Sequence, residues 1–283
     1  CGQHPNESLI RSRRRRDTAE RTPVFLPIVS GHSATQGMFP WQVGIRKIRN
    51  ETNTRPHCGG TILSSFWILS AAHCFETRAL KSELLIRVGD WNNEVTDSNE
   101  EEFEIEEIYN HPEYIRYDDG SLHNDIALLK VKPKRDHGIT MGSHVQPACL
   151  PPEDTVYSEN LDCYISGWGR TKYEIFPHLL KYAQIPIVNQ TTCKRLMEMK
   201  GYNITDSTFC AGYINGGSDT CQGDSGGPLV CKVNGKYTVL GVTSWGYGCG
   251  RPNSPGVYAN VKSLVRWIRE KHAAYYSVNL RTS

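Results

Sequence analysis

Three short islands of sequence hold side chains that could carry out covalent chemistry together. The first is Ser70-Ala71-Ala72-His73-Cys74, a histidine directly after an apolar run. The second, Asn124-Asp125-Ile126-Ala127-Leu128, begins with a carboxylate and runs into another apolar stretch. The third, Gly223-Asp224-Ser225-Gly226-Gly227-Pro228, places a serine in a glycine-dense turn. A serine hydroxyl is a weak nucleophile at neutral pH and needs a base to take its proton as it attacks a carbonyl. An imidazole, with an ordinary pKa of about 6.5, is largely neutral at pH 7 to 8 and suits that role. A carboxylate accepting the other ring N–H would hold the tautomer and stabilise the imidazolium. Backbone N–H groups at Gly223 and Ser225 could meet a developing oxyanion, and glycine at 223 lets the main chain approach without a Cβ. Singly, each island also reads as structure: a core histidine, a strand-leading Asp, a tight turn.

The elements that must position these residues read as strands. Trp41-Gln42-Val43-Gly44-Ile45, Trp67-Ile68-Leu69, Ile126-Ala127-Leu128-Leu129, Tyr164-Ile165-Ser166 and Val239-Leu240-Gly241-Val242 have strand length and are rich in β-branched or aromatic residues. Only the C-terminus has helical spacing, through Leu264, Val265, Trp267, Ile268 and Lys271. The expected fold is all-β with a terminal helix. Residues 1–27 differ, with Arg11, the run Arg13 to Arg16, and Pro5, Pro23 and Pro27 opposing regular structure. They read as a solvated linker, with a basic binding patch as the alternative.

The 283 residues carry 32 Lys+Arg against 30 Asp+Glu, a formal net charge of +2, which gives no reason to expect nucleic acid. A hydrophobic content of 38% excludes a disordered chain. No run approaches 18 apolar residues, so no membrane span is expected. Ten cysteines without a CxxC pair point to disulfides rather than a zinc ribbon or a redox site. Sequons at Asn6, Asn50, Asn189 and Asn203 beside those cysteines point to glycosylation, the secretory route and an extracellular location. The chain opens at Cys1 without a signal peptide, and is expected to be the C-terminal portion of a longer secreted precursor with upstream modules.

In the order His, Asp, Ser the islands resemble the trypsin/chymotrypsin-type serine protease family and differ from the subtilisin and α/β-hydrolase orders. The resemblance spans about residues 28 to 275. Within the family, Arg87-Val88-Gly89-Asp90, Glu101-Glu102-Phe103-Glu104, Cys163-Tyr164-Ile165-Ser166-Gly167-Trp168-Gly169 and Trp245-Gly246-Tyr247-Gly248-Cys249-Gly250 resemble neurotrypsin-like mosaic proteases. The implied architecture is two packed six-stranded antiparallel β-barrels with a C-terminal α-helix. Residues 1–27 would be a prosegment or linker, and 28–283 a trypsin-like peptidase domain. Its first barrel would span about 28–140, its second about 150–260, and its helix about 262–273.

The resemblance implies catalysis by His73, Asp125 and Ser225, with an oxyanion hole at Gly223 and Ser225. Asp219 falls at the family's specificity position, where a carboxylate selects Arg or Lys because other side chains leave it desolvated and unpaired. Thr220 lies beside it, Gly246 and Gly256 line the pocket walls, and Ser244, Trp245 and Gly246 pair with substrate backbone as a short strand. The implied disulfides are Cys1–Cys149, Cys58–Cys74, Cys163–Cys231, Cys193–Cys210 and Cys221–Cys249. Activation would set a freed Ile28 ammonium beside Asp224. Yet Ile28-Val29-Ser30-Gly31 follows Pro27, and the nearest upstream base is Arg21.

Together these imply a secreted endopeptidase made as a zymogen and cleaving protein substrates after Arg or Lys, with protein protease inhibitors as partners. No cofactor is required on this reading. Asp90, Asn92, Asp97, Glu100 and Glu102 lie where some relatives hold structural Ca²⁺, and a solvated acidic loop is the alternative. Arg46, Lys47, Arg49 and Arg55 form a basic loop that could steer an acidic partner or simply be solvated. A non-cleaving binding module on the same fold is the rival from another class.

Overall fold

A computed structural model describes residues 1–5, 7, 32–50, 53–76, 78–171, 174–175, 177–217 and 223–279 of the protein. Among the described residues there are fifteen strands. In chain order they are β1 (His32–Ser33), β2 (Gln42–Asn50), β3 (Asn53–Ile62), β4 (Trp67–Ser70), β5 (Leu84–Val88) and β6 (Glu101–Asn110), β7 (Ile115–Arg116) and β8 (Leu122–His123). There follow β9 (Ala127–Val131), β10 (Cys163–Gly167), β11 (Lys181–Gln184), β12 (Thr208–Ala211), β13 (Pro228–Val233), β14 (Lys236–Trp245) and β15 (Gly256–Asn260). Among the described residues there are also two α-helices, α1 (Gln190–Glu198) and α2 (Val261–Asn279), and two 3₁₀ helices.

Six of these strands close into a barrel in the order β2-β3-β4-β9-β6-β5. The closure follows from side-chain pattern. In β5 the inward residues Leu84, Ile86 and Val88 alternate with half-exposed ones, while β4 and β9 are buried throughout. Trp41, Val43, Ile45, Ile62, Trp67, Ile68 and Leu69 fill the interior. The second unit is a seven-stranded sheet, β1-β11-β10-β13-β14-β15-β12. Its ends meet where the stretch after β11 reaches β12. There Ile187 bridges Ala211, Val188 N donates to Cys210 O at 2.9 Å, and Gly212 N donates to Pro186 O at 2.9 Å. The expected six-stranded ring therefore appears with β1, from the N-terminal half of the chain, added at its edge on β11. Its core holds Ile165, Ile185, Ile187, Phe209, Leu229, Leu240 and Tyr258.

The helix α1 was not anticipated from sequence. Asn189 caps it, its Oδ1 accepting from Thr191 N at 3.0 Å, and Cys193, Leu196 and Met197 are its buried face. That 3-4 spacing and the cap are the signals that mark it. At the other end of the chain, α2 runs from Val261 to Asn279 and buries Val261, Leu264, Val265 and Ile268. No helix among the described residues is long and apolar enough to cross a membrane.

Four disulfides join Cys1 to Cys149, Cys58 to Cys74, Cys163 to Cys231 and Cys193 to Cys210. Cys249 is also disulfide-bonded; Cys221 lies outside the described residues. The first bridge is reinforced by backbone bonds, Gly2 N to Pro147 O at 2.8 Å and Tyr237 N to Gly2 O at 3.0 Å. His4 adds a ring-nitrogen bond to Met38 O at 2.7 Å and packs on Trp41 and Tyr237. Because the cross-link and these bonds all fall within residues 1–7, proteolysis anywhere between 8 and 31 should leave the first segment attached. A non-reducing gel of processed protein is expected to show one band that splits into two on reduction. Release of the short chain without reductant would contradict that anchoring.

Candidate active site

Register in the first barrel brings two of the three islands together. In the β4–β9 pair Ser70 stands opposite Ala127, so the end of β4 lies against the start of β9. The 3₁₀ turn Ala72–Phe75 follows β4 and carries His73, while Asp125 lies just before β9, with Ile126 between them. Asn124 takes φ 50°, a left-handed conformation that Asn tolerates, and Ile126 N returns to Asn124 O at 2.8 Å. This tight turn aims the Asp125 side chain inward, where it is 0% exposed. Its Oδ2 accepts from His73 Nδ1 at 2.7 Å and its Oδ1 from His73 N at 2.9 Å. The ring nitrogen that faces Asp125 is thereby the one carrying hydrogen, leaving Nε2 as the acceptor.

The third island comes from the second unit. Gly226 N donates to Thr243 O at 2.8 Å and Thr243 N to Gly227 O at 2.9 Å, pinning the Ser225 loop on the end of β14. One residue on, Ser244 Oγ donates to Asp125 Oδ2, so β14 ties the loop to the buried carboxylate. Across the cleft, Gly59 N donates to Ser225 O at 2.7 Å, and the Cys74 sulfur lies 3.9 Å from both that oxygen and His73 Nε2. Among the described residues no hydrogen bond joins Ser225 Oγ to His73; such bonds often tighten only once substrate is bound.

Sterics explain the glycines. Gly223 and Gly226 have φ of 99° and 78°, and a Cβ at 226 would fall 2.3 Å from Ser70 Oγ and 2.7 Å from Gly59 O. Asp224, 2% exposed, accepts from Gly169 N at 2.8 Å, and its carboxylate occupies the space that a Cβ at Gly167 or Gly169 would fill. Gly246 and Gly256 face each other: a Cβ at 246 would lie 3.8 Å from Gly256 Cα. Trp245 Nε1 donates to Leu122 O at 3.3 Å, fixing the strand beside the second island. Asp219, Thr220 and Ile28 lie outside the described residues.

A 28–268 match to the Trypsin family model covers most of the chain. The chain belongs to the trypsin family. It is 35% identical over 265 residues to human serine protease 41, covering 90% of this chain and 79% of that protein. It is a serine endopeptidase of this family, with disulfides and protein substrates to match.

Sequence reasoning placed Ser244 only as a substrate-strand residue; its hydroxyl also orients Asp125. It missed Glu76, which follows the His73 turn and accepts from Tyr114 Oη at 2.6 Å and Arg116 Nε at 2.8 Å, bracing the turn against β7. Of the sequons, Asn50, Asn189 and Asn203 are exposed, and Asn6 lies outside the described residues. A glycan on Asn189 Nδ2 would leave Oδ1 free to cap α1.

The basic loop is the β2–β3 hairpin. Arg46 there is buried, donating through Nε to Thr54 Oγ1 at 2.6 Å, and Lys47 pairs with Glu83 at 2.9 Å. Only Arg49 and Arg55 remain exposed.

Among the acidic residues, Asp90, Asp97 and Glu100 bring oxygens within 4.8 Å of one another. Several of these oxygens are already met by protein donors, while Asp90 Oδ1 is buried without one among the described residues. Arg87 stands among them, 3.5 Å from Asp90, 3.1 Å from Glu100 and 2.7 Å from Glu102. Asp97 Oδ2 is taken by the N–H groups of Trp91 and Asn92 at 2.7 and 3.0 Å, and Asn92 Oδ1 accepts from Glu94 N at 3.2 Å. Burial first, and then the charge of Glu100, push Asp90 up to about 6, against the attraction of Arg87. The folded protein therefore holds a proton on Asp90 at pH values where the unfolded chain has lost it. The stability this contributes is present in acid and lost as pH rises through about 6. Asp90→Asn should melt higher than the native protein at pH 7.5, by an amount on the order of 2 kcal/mol, with the gap closing below about pH 4. Thermal melts of both proteins across that range check it; a constant gap at all pH values would refute the assignment.

Proposed function

We propose that the protein is a secreted trypsin-like endopeptidase that cleaves after Arg or Lys and is kept as a zymogen until its N-terminus is released. One observation carries this: the fully buried Asp125 carboxylate bonded to His73 Nδ1 at 2.7 Å, with the Ser225 loop held beside it by Gly59 and β14. Ser225 attacks the scissile carbonyl as His73 Nε2 takes its proton. Asp125 stabilises the resulting imidazolium, and the N–H groups of Gly223 and Ser225 receive the oxyanion. His73 then protonates the leaving amine, and water attacks the acyl-enzyme by the same route in reverse.

Asp219 is the pocket floor in this scheme, between walls formed by Gly246 and Gly256. The absence of side chains at those two glycines supports the reading, since bulk there would obstruct a long basic side chain. Disulfides and exposed sequons support passage through the secretory route. The likeness to mosaic proteases supports modules upstream in the precursor, and a protein substrate cleft implies protein inhibitors as partners. No cofactor is required on this reading. A chromogenic Arg-anilide assay on processed protein tests the scheme. Ser225→Ala should lose on the order of 10⁴-fold in kcat, and Asp219→Ser roughly 30-fold or more in kcat/KM for Arg substrates. Cleavage by the Ser225→Ala protein within tenfold of native would exclude the triad.

Activation departs from the family pattern. A freed Ile28 ammonium would enter beside Asp224, whose buried carboxylate already lies on Gly167 and Gly169. An ammonium placed there would form a buried ion pair with that carboxylate. Cuts at Arg16 or Arg21 would leave extra residues before Ile28. Such species should be poorly active, and full activity should need a terminus at Ile28. N-terminal sequencing with active-site titration decides it: near-complete titration of protein beginning at Thr22 would overturn the Ile28–Asp224 mechanism.

A further inference from the structure

Past Trp245 the chain continues through Gly246 to Tyr247, a residue 44% exposed. Two cations from separate segments converge on that ring. Lys200 Nζ, from the turn after α1, lies 5.4 Å from its centre, and Arg251 Cζ lies 5.8 Å from it. Arg251 is laid across Gly248, where a Cβ would meet its Nε at 2.6 Å. The tyrosine itself belongs to an aromatic set, 6.3 Å from Tyr202, which is 5.1 Å from Trp245. Among the described residues neither Lys200 nor Arg251 forms an ion pair, although Lys194 on α1 pairs with Asp206 at 3.9 Å. An aromatic platform with two cations and no counter-ion among the described residues is complementary to an anion.

We propose that Lys200, Tyr247 and Arg251 form a subsite for an acidic substrate side chain three or four residues before the scissile bond. The proposal rests on the endopeptidase reading above, in which Ser244 to Gly246 pair with substrate backbone. Ser244 marks the scissile end, because its hydroxyl is on Asp125. An antiparallel partner moves away from that end as β14 advances, by about 3.3 Å per residue, so Tyr247 flanks a side chain about three residues upstream. A carboxylate there meets both cations, and a basic side chain is repelled by them.

The test uses peptides that share Arg before the scissile bond and carry Asp, Ala or Lys at the third and fourth positions upstream. At low salt the Asp peptide is expected to exceed the Ala peptide in kcat/KM by about five- to tenfold, chiefly through KM, and the Lys peptide to fall below both. The preference should decay toward parity near about 0.5 M NaCl, where screening is short-ranged. The Lys200→Glu/Arg251→Glu protein, checked by thermal melt to be folded, should favour the Lys peptide instead. Equal kcat/KM for Asp and Ala peptides at low salt, or a preference untouched by the double substitution, would overturn the subsite. Fluorescence anisotropy of the same peptides on the Ser225→Ala protein separates the two levels. Tighter binding of the Asp peptide without cleavage by native protein would sink the Arg-cleaving reading and keep the subsite; cleavage without discrimination would sink the subsite alone.

Discussion

The arrangement of the cleft depends on one buried carboxylate. Asp125 is wholly removed from solvent, and an ion in that position costs several kcal/mol unless donors surround it. Its donors come from both halves of the molecule: the backbone and ring of His73 from the turn after β4, and the Ser244 hydroxyl from β14 of the second unit. Packing between the units is therefore coupled to the protonation geometry of His73. A shift of β14 would withdraw a donor from a desolvated charge, a larger penalty than losing an ordinary surface contact.

Around that charge, the Ser225 loop is shaped by exclusion. Gly223 and Gly226 take conformations that side chains resist, and Gly226 and Gly227 press against Gly59 and Asp224 with no room for a methyl group. Gly167 and Gly169 likewise cede their Cβ space to Asp224. The result is a loop whose backbone groups are spoken for: Gly226 N by Thr243, Gly227 N by Asp224, and Ser225 O by Gly59. These bonds hold the loop's shape, and they leave the N–H groups of Gly223 and Ser225 outside that set, where preorganised donors suit charge that develops only during reaction.

Away from the cleft, charge is handled in two opposite ways. Around Arg87 three carboxylates share one guanidinium, and the protein tolerates a carboxyl held well above its ordinary pKa. Around Tyr247, just past the end of β14, two cations have no carboxylate partner among the described residues. The first arrangement is self-contained and serves the barrel. The second is incomplete by itself, which is why it is the surface best matched to an anion from outside.

Much of the site was legible in the sequence because its chemistry is carried by residue types that few other roles demand together. A His after an apolar run, an Asp leading one and a Ser among glycines identify their own islands, and alternating apolar residues announce strands such as β5 without reference to any partner. The helix α1 escaped because Asn189, Cys193, Leu196 and Met197 form a short amphipathic signal in a Thr- and Lys-rich stretch. Other features could not be read locally at all. That Ser244 serves Asp125, that Arg46 is buried on Thr54 while Arg49 is exposed, and that Arg87 occupies the acidic loop all depend on strand register. So does the meeting of Lys200 and Arg251, 51 positions apart, on one tyrosine. Sequence by itself determined which residues could do the chemistry and the period of the strands around them, since those are properties of side-chain type and spacing. Tertiary structure decided which groups share a buried environment, because desolvation and hydrogen-bond geometry arise only when segments distant in the chain are packed together.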